Sequence, residues 1–217
     1  MTNALAASGL SWVGIVRLGL VQTSLGAIVV LTTSTINRIM VVELMLPAMI
    51  PGLLVGLHHA VQMSRPHFGY GSDVGGRTSA WIIAGMGVLA IGGFLAALGT
   101  VWAADRQTAG LVLCTVGFFA IGLGASAAGT SLLVTLAKHV TPQRKAAAAT
   151  IVWIMMILGF AVTAGLAGHF LDPFSPARLL TVSGTVSCLA FLVTLVALYR
   201  LEPESPAVGE DVYPTQP

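Results

Sequence analysis

Six long apolar runs alternate with short polar connections along the chain, and each run has the length of a membrane-crossing helix. Such a helix needs about 20 consecutive, mostly apolar residues. The pattern therefore predicts an all-α integral membrane protein in which the apolar runs form a bundle of six transmembrane helices. The predicted spans are residues 12–35, 40–63, 79–102, 109–137, 147–170 and 178–200.

The same pattern divides the chain into two regions. Residues 1–200 form the predicted transmembrane domain, and its first residues lack the basic start and the cleavage site of a signal peptide. Residues 201–217, LEPESPAVGEDVYPTQP, hold four prolines and four acidic residues but few aliphatic side chains. Such a segment cannot bury enough apolar surface to fold, so we predict a disordered cytoplasmic tail.

Composition supports the membrane assignment and limits the partners. The chain is 56% hydrophobic and only 8% charged, with a mean hydropathy of +0.91. A soluble domain of this size would need more polar surface. The net charge is only +2, and no long basic run could follow a phosphate backbone. These features predict contact with membrane lipids and argue against nucleic-acid binding.

Lys and Arg residues are distributed unequally between the two sides of the predicted bundle. Cytoplasmic connections of membrane proteins carry an excess of these residues. Seven lie on one side and three on the other, which predicts that both termini are cytoplasmic. The first group is Arg17, Arg65, Arg77, Lys138, Arg144, Lys145 and Arg200, and the second is Arg38, Arg106 and Arg178.

Arg38 and Glu43 are charged residues beside the predicted outer turn, residues 36–39. Glu43 is expected about one helical turn inside the second span, where an unpaired carboxylate facing lipid costs about 3 kcal/mol. It should therefore face the bundle and pair with Arg38 or with the hydroxyl of Thr33 or Thr35. The alternative is that Glu43 carries a proton or binds a ligand.

The second predicted span also contains two prolines and two histidines. Pro47 and Pro51 should kink or loosen the middle of this helix, because each removes a backbone hydrogen bond. His58 and His59 follow the kink. Imidazole can serve as the axial ligand of a chlorophyll magnesium, so either residue is a candidate pigment ligand. The alternative is that they hydrogen-bond to neighbouring helices.

A polar, glycine-rich stretch at residues 65–81, RPHFGYGSDVGGRTSAW, separates the second and third predicted spans. Gly69, Asp73, Gly76 and Arg77 fall in the pattern G-x-x-x-D-x-x-G-R. This pattern resembles the loop between the second and third helices of the major facilitator superfamily. We expect a structural or gating loop, with Asp73 near a helix N-terminus and Arg77 at the lipid headgroups.

The residues around this loop make the resemblance more specific. The first three spans resemble the bacteriochlorophyll delivery branch of that superfamily, the PucC- and LhaA-type proteins of purple phototrophic bacteria. The similar positions are Asn37, Arg38, Val42, Glu43, Leu44, Pro47, Leu57, His58, Gln62, Arg65, Pro66, and the stretch from Ser72 and Asp73 through Arg77 to Trp81.

The resemblance implies a fold equivalent to one half of a major facilitator protein, three helices followed by three more. Members normally have twelve spans, so the six predicted here are expected to be a natural half-length protein, one half of a homodimer that rebuilds twelve spans, or a truncated product. It also implies a bacterial inner membrane, cytoplasmic or intracytoplasmic and photosynthetic. The implied partners are light-harvesting antenna polypeptides or a reaction-centre complex, and the implied ligand is bacteriochlorophyll.

The leading functional hypothesis is therefore an assembly factor or accessory subunit for light-harvesting or reaction-centre complexes, handling bacteriochlorophyll or antenna polypeptides. Two alternatives are a secondary transporter of a small solute that acts as a dimer of six-helix halves, and a purely structural membrane subunit. The sequence contains no G-x-S-x-G elbow, no phosphate-binding Gly-Lys-Ser/Thr loop and no H-E-x-x-H metal motif. On that basis the chain is predicted not to be an enzyme, and no metal site is expected.

Overall fold

The computed structural model describes residues 9–74 and 78–201, and this part of the chain is built of helices without strands. A π-helical segment, Leu31–Ile36, joins the first two α-helices into one continuous helix, Trp12–Val42. The α-helices are α1 (Trp12–Val30), α2 (Asn37–Val42), α3 (Met49–Val61), α4 (Arg65–Val74), α5 (Thr78–Asp105), α6 (Gln107–His139), α7 (Lys145–Phe170) and α8 (Pro176–Leu198).

Five helices are long and apolar enough to cross a membrane, which confirms the predicted all-α membrane fold. They are Trp12–Val42, Thr78–Asp105, Gln107–His139, Pro142–Phe170 and Pro176–Leu198. Large apolar side chains cover much of the outer surface of these helices; Ile154, Ile157 and Leu158 of α7 are each more than half exposed. A surface of this kind suits contact with lipid, because an aqueous surface would favour polar groups at such positions.

The prediction of a tight turn at residues 36–39 is wrong. The first helix continues to Val42, and the carboxamide of Asn37 donates to the Thr33 carbonyl oxygen one turn earlier, at 3.3 Å. Ile36, Ile39 and Met40 are buried against the bundle. Burial of these apolar side chains outweighs the turn preference of the polar Asn-Arg pair.

The prediction of one continuous span over residues 40–63 is also wrong. The chain leaves the helix after Val42, passes through Met45 at a φ of +52°, and restarts as α3 at Met49. Pro47 lies in this turn, since proline and the residue before it disfavour helix. Pro51 lies in the first turn of α3, where a missing N–H breaks no bond within the helix. Neither proline kinks the middle of a helix.

The polar stretch predicted as a loop is partly helical. Residues Arg65–Val74 form α4, which follows α3 after a single 3₁₀ turn, Gln62–Ser64. The Phe68 ring packs edge-on against the Trp81 ring of α5, with ring centres 6.2 Å apart. Contact between these aromatic rings favours helix here despite the glycine-rich sequence.

In the part of the chain that the structure describes, contacts between helices give their relative directions. Two contacts show that α1 runs antiparallel to α6. The Leu10 amide donates to the His139 carbonyl oxygen at 2.6 Å, and Leu25 lies against Gly129. The α3–α4 pair runs parallel to α6, with Val61 against Gly122 on α6 and Gly69 of α4 against Thr130 on α6. Neither α3 nor α4 is among the five long apolar helices, so the described residues contain five such spans where six were predicted.

Helices α5 and α6 make the most extensive contact in the bundle. Glycines recur at intervals of seven residues on both helices and face the opposite backbone. A Cβ atom at Gly92 would lie 2.8 Å from the Ile121 nitrogen, and one at Gly117 would lie 2.7 Å from the Ala96 nitrogen. We call this set the glycine seam: Gly85, Gly92 and Gly99 on α5, and Gly110, Gly117 and Gly124 on α6.

The described chain begins and ends on the same side of the bundle. The Arg17 guanidinium of α1 donates through Nε to the Ala197 carbonyl oxygen at 2.8 Å, and it also bonds the Tyr199 carbonyl oxygen. It thereby satisfies carbonyl groups left free at the end of α8, where a positive charge is favourable. At the same end, the Arg144 guanidinium lies 5.2 Å from the centre of the Trp12 ring.

Candidate functional site

The predicted histidine pair lies on α3, near the middle of the bundle. The His58 carbonyl oxygen would be 2.8 Å from a Cβ atom placed on Gly122, close to the midpoint of α6. The absence of a side chain on Gly122 therefore lets α3 approach the α6 backbone closely. The His58 ring turns toward the bundle and is completely buried.

A line of polar side chains runs from His58 toward the surface, one helical turn at a time. Nε2 of His58 lies 2.6 Å from the Gln62 amide nitrogen, and the Gln62 carboxamide oxygen accepts from the Arg65 guanidinium. Because this oxygen faces Arg65, the Gln62 amide group is the donor to His58. His58 therefore accepts at Nε2 and carries its proton at Nδ1.

This arrangement leaves His58 without a free lone pair. Its Nε2 lone pair accepts from Gln62, and its buried Nδ1 atom has no hydrogen-bond partner in the part of the chain that the structure describes. A magnesium ligand needs an unprotonated nitrogen with open space in front of it. The unprotonated Nε2 of His58 is occupied by the Gln62 amide group, and the buried ring has no open space in front of it in this conformation.

His59 has the opposite surroundings. Its side chain is exposed, and its ring packs edge-on against His58 with ring centres 4.8 Å apart. Gly56 and Gly52 precede it on the same side of α3, and a Cβ atom at either glycine would meet no atom within 4 Å. We call this surface the open α3 face. It consists of Met49, Gly52, Leu53, Gly56, His59 and Met63, all of which are exposed.

Arg38 and Glu43 share a cavity at the other end of the first helix. The cavity has a volume of about 210 Å³ and is lined by Thr35, Arg38, Ile39, Glu43, Gly168, Leu171, Asp172 and Phe174. Among these described residues no ion pair joins Arg38 to Glu43, and both side chains are exposed. Glu43 sits at the C-terminal end of α2 rather than one turn inside a second span. Their pairing or ligand role stays a prediction.

The predicted loop residues are only partly within the described chain. Gly69 lies in α4, where an added Cβ atom would be 3.1 Å from the Thr130 side chain. Asp73 belongs to the same helix, but its side chain lies outside the described structure, as do Gly76 and Arg77 entirely. The structural or gating role of this group stays a prediction.

Sequence reasoning gave no site role to five residues of this region. Gln62 and Arg65 follow His58 at steps of four and three residues, so helical spacing could have revealed that they share a face. Gly52 and Gly56 gave no such signal, because open and closely packed glycines look alike in a sequence. Asp172 comes from the distant connection between α7 and α8.

Comparison with known proteins then identifies the family. The family model described as PUCC protein matches residues 35–216, which is most of the chain. The chain belongs to the PUCC protein family. This result confirms the predicted resemblance to PucC-type proteins.

Several relatives match along most of the chain. A Rhodobacter capsulatus protein named bacteriochlorophyll synthase 44.5 kDa chain is 51% identical over 89% of this chain and 45% of its own length. A protein named PucC from Cereibacter sphaeroides is 29% identical over 89% of this chain and 45% of its own length. The chain thus spans less than half the length of these relatives. No solved structure matches the chain.

One prediction is corrected by these relatives. The sequence motifs led to the expectation that the chain is not an enzyme. The Rhodobacter capsulatus relative, at 51% identity, is named as a chain of a synthase, which is an enzyme. The motifs considered belong to hydrolases, nucleotide-binding proteins and zinc proteases, so their absence said little about synthesis of a membrane pigment.

Proposed function

We propose that this protein is a membrane component of the machinery that makes and assembles bacteriochlorophyll-containing photosynthetic complexes. In this role it handles bacteriochlorophyll, or holds antenna polypeptides while they receive it. The observation that carries the proposal is the 51% identity, over 89% of this chain, to a protein named as a bacteriochlorophyll synthase chain. Membership of the PUCC protein family supports the same assignment.

The geometry of α3 fits a bacteriochlorophyll. This pigment is a flat, apolar molecule whose central magnesium accepts an axial ligand. The open α3 face offers an exposed imidazole, His59, beside two glycines whose missing side chains leave room for a flat molecule. The exposed apolar side chains of Met49 and Leu53 suit the rest of its surface.

The proposal includes a location and partners. The protein would lie in the inner or intracytoplasmic photosynthetic membrane, next to light-harvesting antenna polypeptides or a reaction-centre complex. Residues 1–200 would form one half of a major facilitator fold, with 201–217 as a cytoplasmic tail. The end that carries Arg17, Lys138, Arg144 and Lys145 would face the cytoplasm, following the excess of basic residues there.

Affinity purification from phototrophic cells tests this function. The full chain, tagged and expressed in a purple bacterium that makes its antenna, should bring down bacteriochlorophyll together with antenna or reaction-centre polypeptides. Deletion of its gene should lower the amount of assembled pigment–protein complex in membrane absorption spectra. The matched control is the same tagged chain from cells grown without pigment synthesis.

Two results together would contradict the proposal. One is purification of the protein from pigmented membranes without pigment or antenna polypeptides. The other is a deletion strain with the wild-type content of bacteriochlorophyll and of assembled complexes. Loss of total pigment in the deletion strain would indicate a role in synthesis, whereas accumulation of unassembled pigment would indicate a role in assembly.

A further inference from the structure

We propose that His59, and not His58, is the axial ligand to the magnesium of a bacteriochlorophyll, and that the macrocycle lies on the open α3 face over Gly52 and Gly56. This inference rests on the proposed function and names the residue that performs it. The two histidines are adjacent in sequence, so only their surroundings in the fold distinguish them.

The first step of the argument concerns lone pairs. Nε2 of His58 accepts from Gln62 at 2.6 Å, and Gln62 is oriented by Arg65. Within the described residues, His59 has no hydrogen-bond partner on either ring nitrogen. A neutral imidazole always has one unprotonated nitrogen. His59 is therefore the residue of the pair that has a lone pair to give.

The second step concerns space. His58 is fully buried against α6, so no macrocycle could reach its ring. Gly52 precedes His59 by seven residues, about two helical turns, and so shares its face of α3. Because both Gly52 and Gly56 would accept a Cβ atom without meeting any atom within 4 Å, a flat ring can lie close to the helix backbone there.

The third step concerns the medium around His59. Its depth follows from that of its neighbour His58, which lies beside Gly122 near the middle of α6. The exposed neighbours Met49, Leu53 and Met63 are apolar. Water, the usual competitor for a magnesium ion, is scarce at such a depth, so a single imidazole can hold the metal.

The line of polar side chains that begins at His58 then has a positioning role. His58 is held by Gln62, and its ring packs edge-on against the His59 ring at 4.8 Å. This contact restricts the rotation of the His59 side chain. Gln62 and His58 are thus positioning residues, and His59 is the residue that touches the metal.

Pigment titration of the purified full chain in detergent tests the inference. Bacteriochlorophyll should bind with a shifted absorption spectrum, and His59→Leu should weaken that binding by at least about tenfold. Bacteriopheophytin, which lacks the magnesium, should show no dependence on His59. Binding to His59→Gly should return when free imidazole is added, because the small molecule can supply the missing ligand.

Glycine variants test whether pigment binding needs the open space over α3 as well as the His59 imidazole. Gly56→Leu should weaken binding although the imidazole is still present. Gly165→Leu on α7 is the matched control, since that glycine also has no neighbour within 4 Å, and it should bind pigment like the wild type. Circular dichroism and the melting temperature show whether each variant is folded.

Several outcomes would overturn the inference. They are a wild-type chain that binds no bacteriochlorophyll, a His59→Leu variant that binds as tightly as the wild type, and a His58→Asn variant that loses more affinity than His59→Leu. A Gly56→Leu variant that changes its oligomeric state but not its pigment affinity would place a partner helix on this face. If His59→Leu kept its affinity and still purified with antenna polypeptides, the proposed function would stand and this inference alone would fall.

Discussion

Two groups of glycines in this protein share one residue type and have opposite surroundings. In the glycine seam, a Cβ atom at Gly92 would lie 2.8 Å from the backbone nitrogen of Ile121 on the facing helix. On the open α3 face, a Cβ atom at Gly52 or Gly56 would meet nothing within 4 Å. The seam glycines allow two helices to touch, whereas the α3 glycines leave a surface free.

The difference shows what a glycine motif in a membrane helix does and does not indicate. Gly52 and Gly56 have the G-x-x-x-G spacing that favours close packing of membrane helices, yet this pair faces outward. The seam instead uses intervals of seven residues, which bring each glycine back to the same side after two turns. The position of the glycine in the bundle, and not its spacing alone, therefore decides whether it contacts a neighbouring helix or leaves the helix backbone exposed.

The largest effect is expected from filling the seam. Gly92→Ala should destabilise the protein by about 1–3 kcal/mol, because the new methyl group meets the backbone of Ile121 at 2.8 Å and that of Gly117 at 2.9 Å. Backbone cannot rotate away as a side chain can, so the helices must separate. The melting temperature in detergent should fall by roughly 2–4 °C for each kcal/mol.

Gly87→Ala on the same helix is the control for the seam. The nearest atom to its new Cβ would be a Phe191 ring carbon at 3.5 Å, which is ordinary contact. This variant should melt within about 1 °C of the wild type. Equal melting temperatures for the two variants would show that the seam is not closely packed in the folded protein.

Most of the fold could be predicted from the sequence because long apolar runs bounded by charges or prolines leave few alternatives in lipid. The third to sixth predicted spans each agree with a helix to within three residues at either end. The second predicted span does not match one helix. Ile36, Ile39 and Met40 continue the first helix because they are buried against the bundle, which the local sequence does not reveal. The helix at Arg65–Val74 likewise depends on contacts with α5 and α6.

The candidate site was predictable in its residue types but not in its geometry. Neighbouring helical residues point about 100° apart, so one of His58 and His59 had to face the bundle more than the other. Which one does so depends on the approach of α3 to Gly122, a contact between residues far apart in sequence. The charged cavity depends in the same way on Asp172, from the connection after α7.

An intermediate effect is expected on the side of α3 that carries His58 and faces α6. Gln62→Leu removes the hydrogen-bond partner of a fully buried imidazole, which should cost about 1–3 kcal/mol. The melting temperature should fall by less than in Gly92→Ala, for which we expect the upper end of its range because the new methyl group meets backbone of the facing helix. Gln62→Glu is the matched variant, since its carboxylate can accept from the ring once the proton moves to Nε2 of His58.

Nitrogen NMR of the His58 ring distinguishes these two variants. The wild-type ring should carry its proton at Nδ1, and the ring in Gln62→Glu should carry it at Nε2. A Gln62→Leu variant as stable as the wild type, with an unchanged ring spectrum, would mean that the contact from Gln62 does not hold His58. The side of α3 that carries His58 would then differ from the open α3 face only in burial.

The smallest effect is expected on the open α3 face. Gly56→Ala should leave the melting temperature unchanged or raise it slightly, because no atom opposes the new methyl group and alanine favours helix over glycine by at most about 1 kcal/mol. Its counterpart is Gly122→Ala on α6, whose new methyl group would lie 2.7 Å from the Val61 Cβ and 2.8 Å from the His58 carbonyl oxygen. That variant should melt at a lower temperature, since α3 must move away from α6.

The two substitutions place the same methyl group on opposite sides of α3, so the difference between their melting temperatures measures how open the outer side of α3 is. A loss at Gly56 as large as that at Gly122 would mean that another surface already closes against α3, and no space for a flat ligand would remain there.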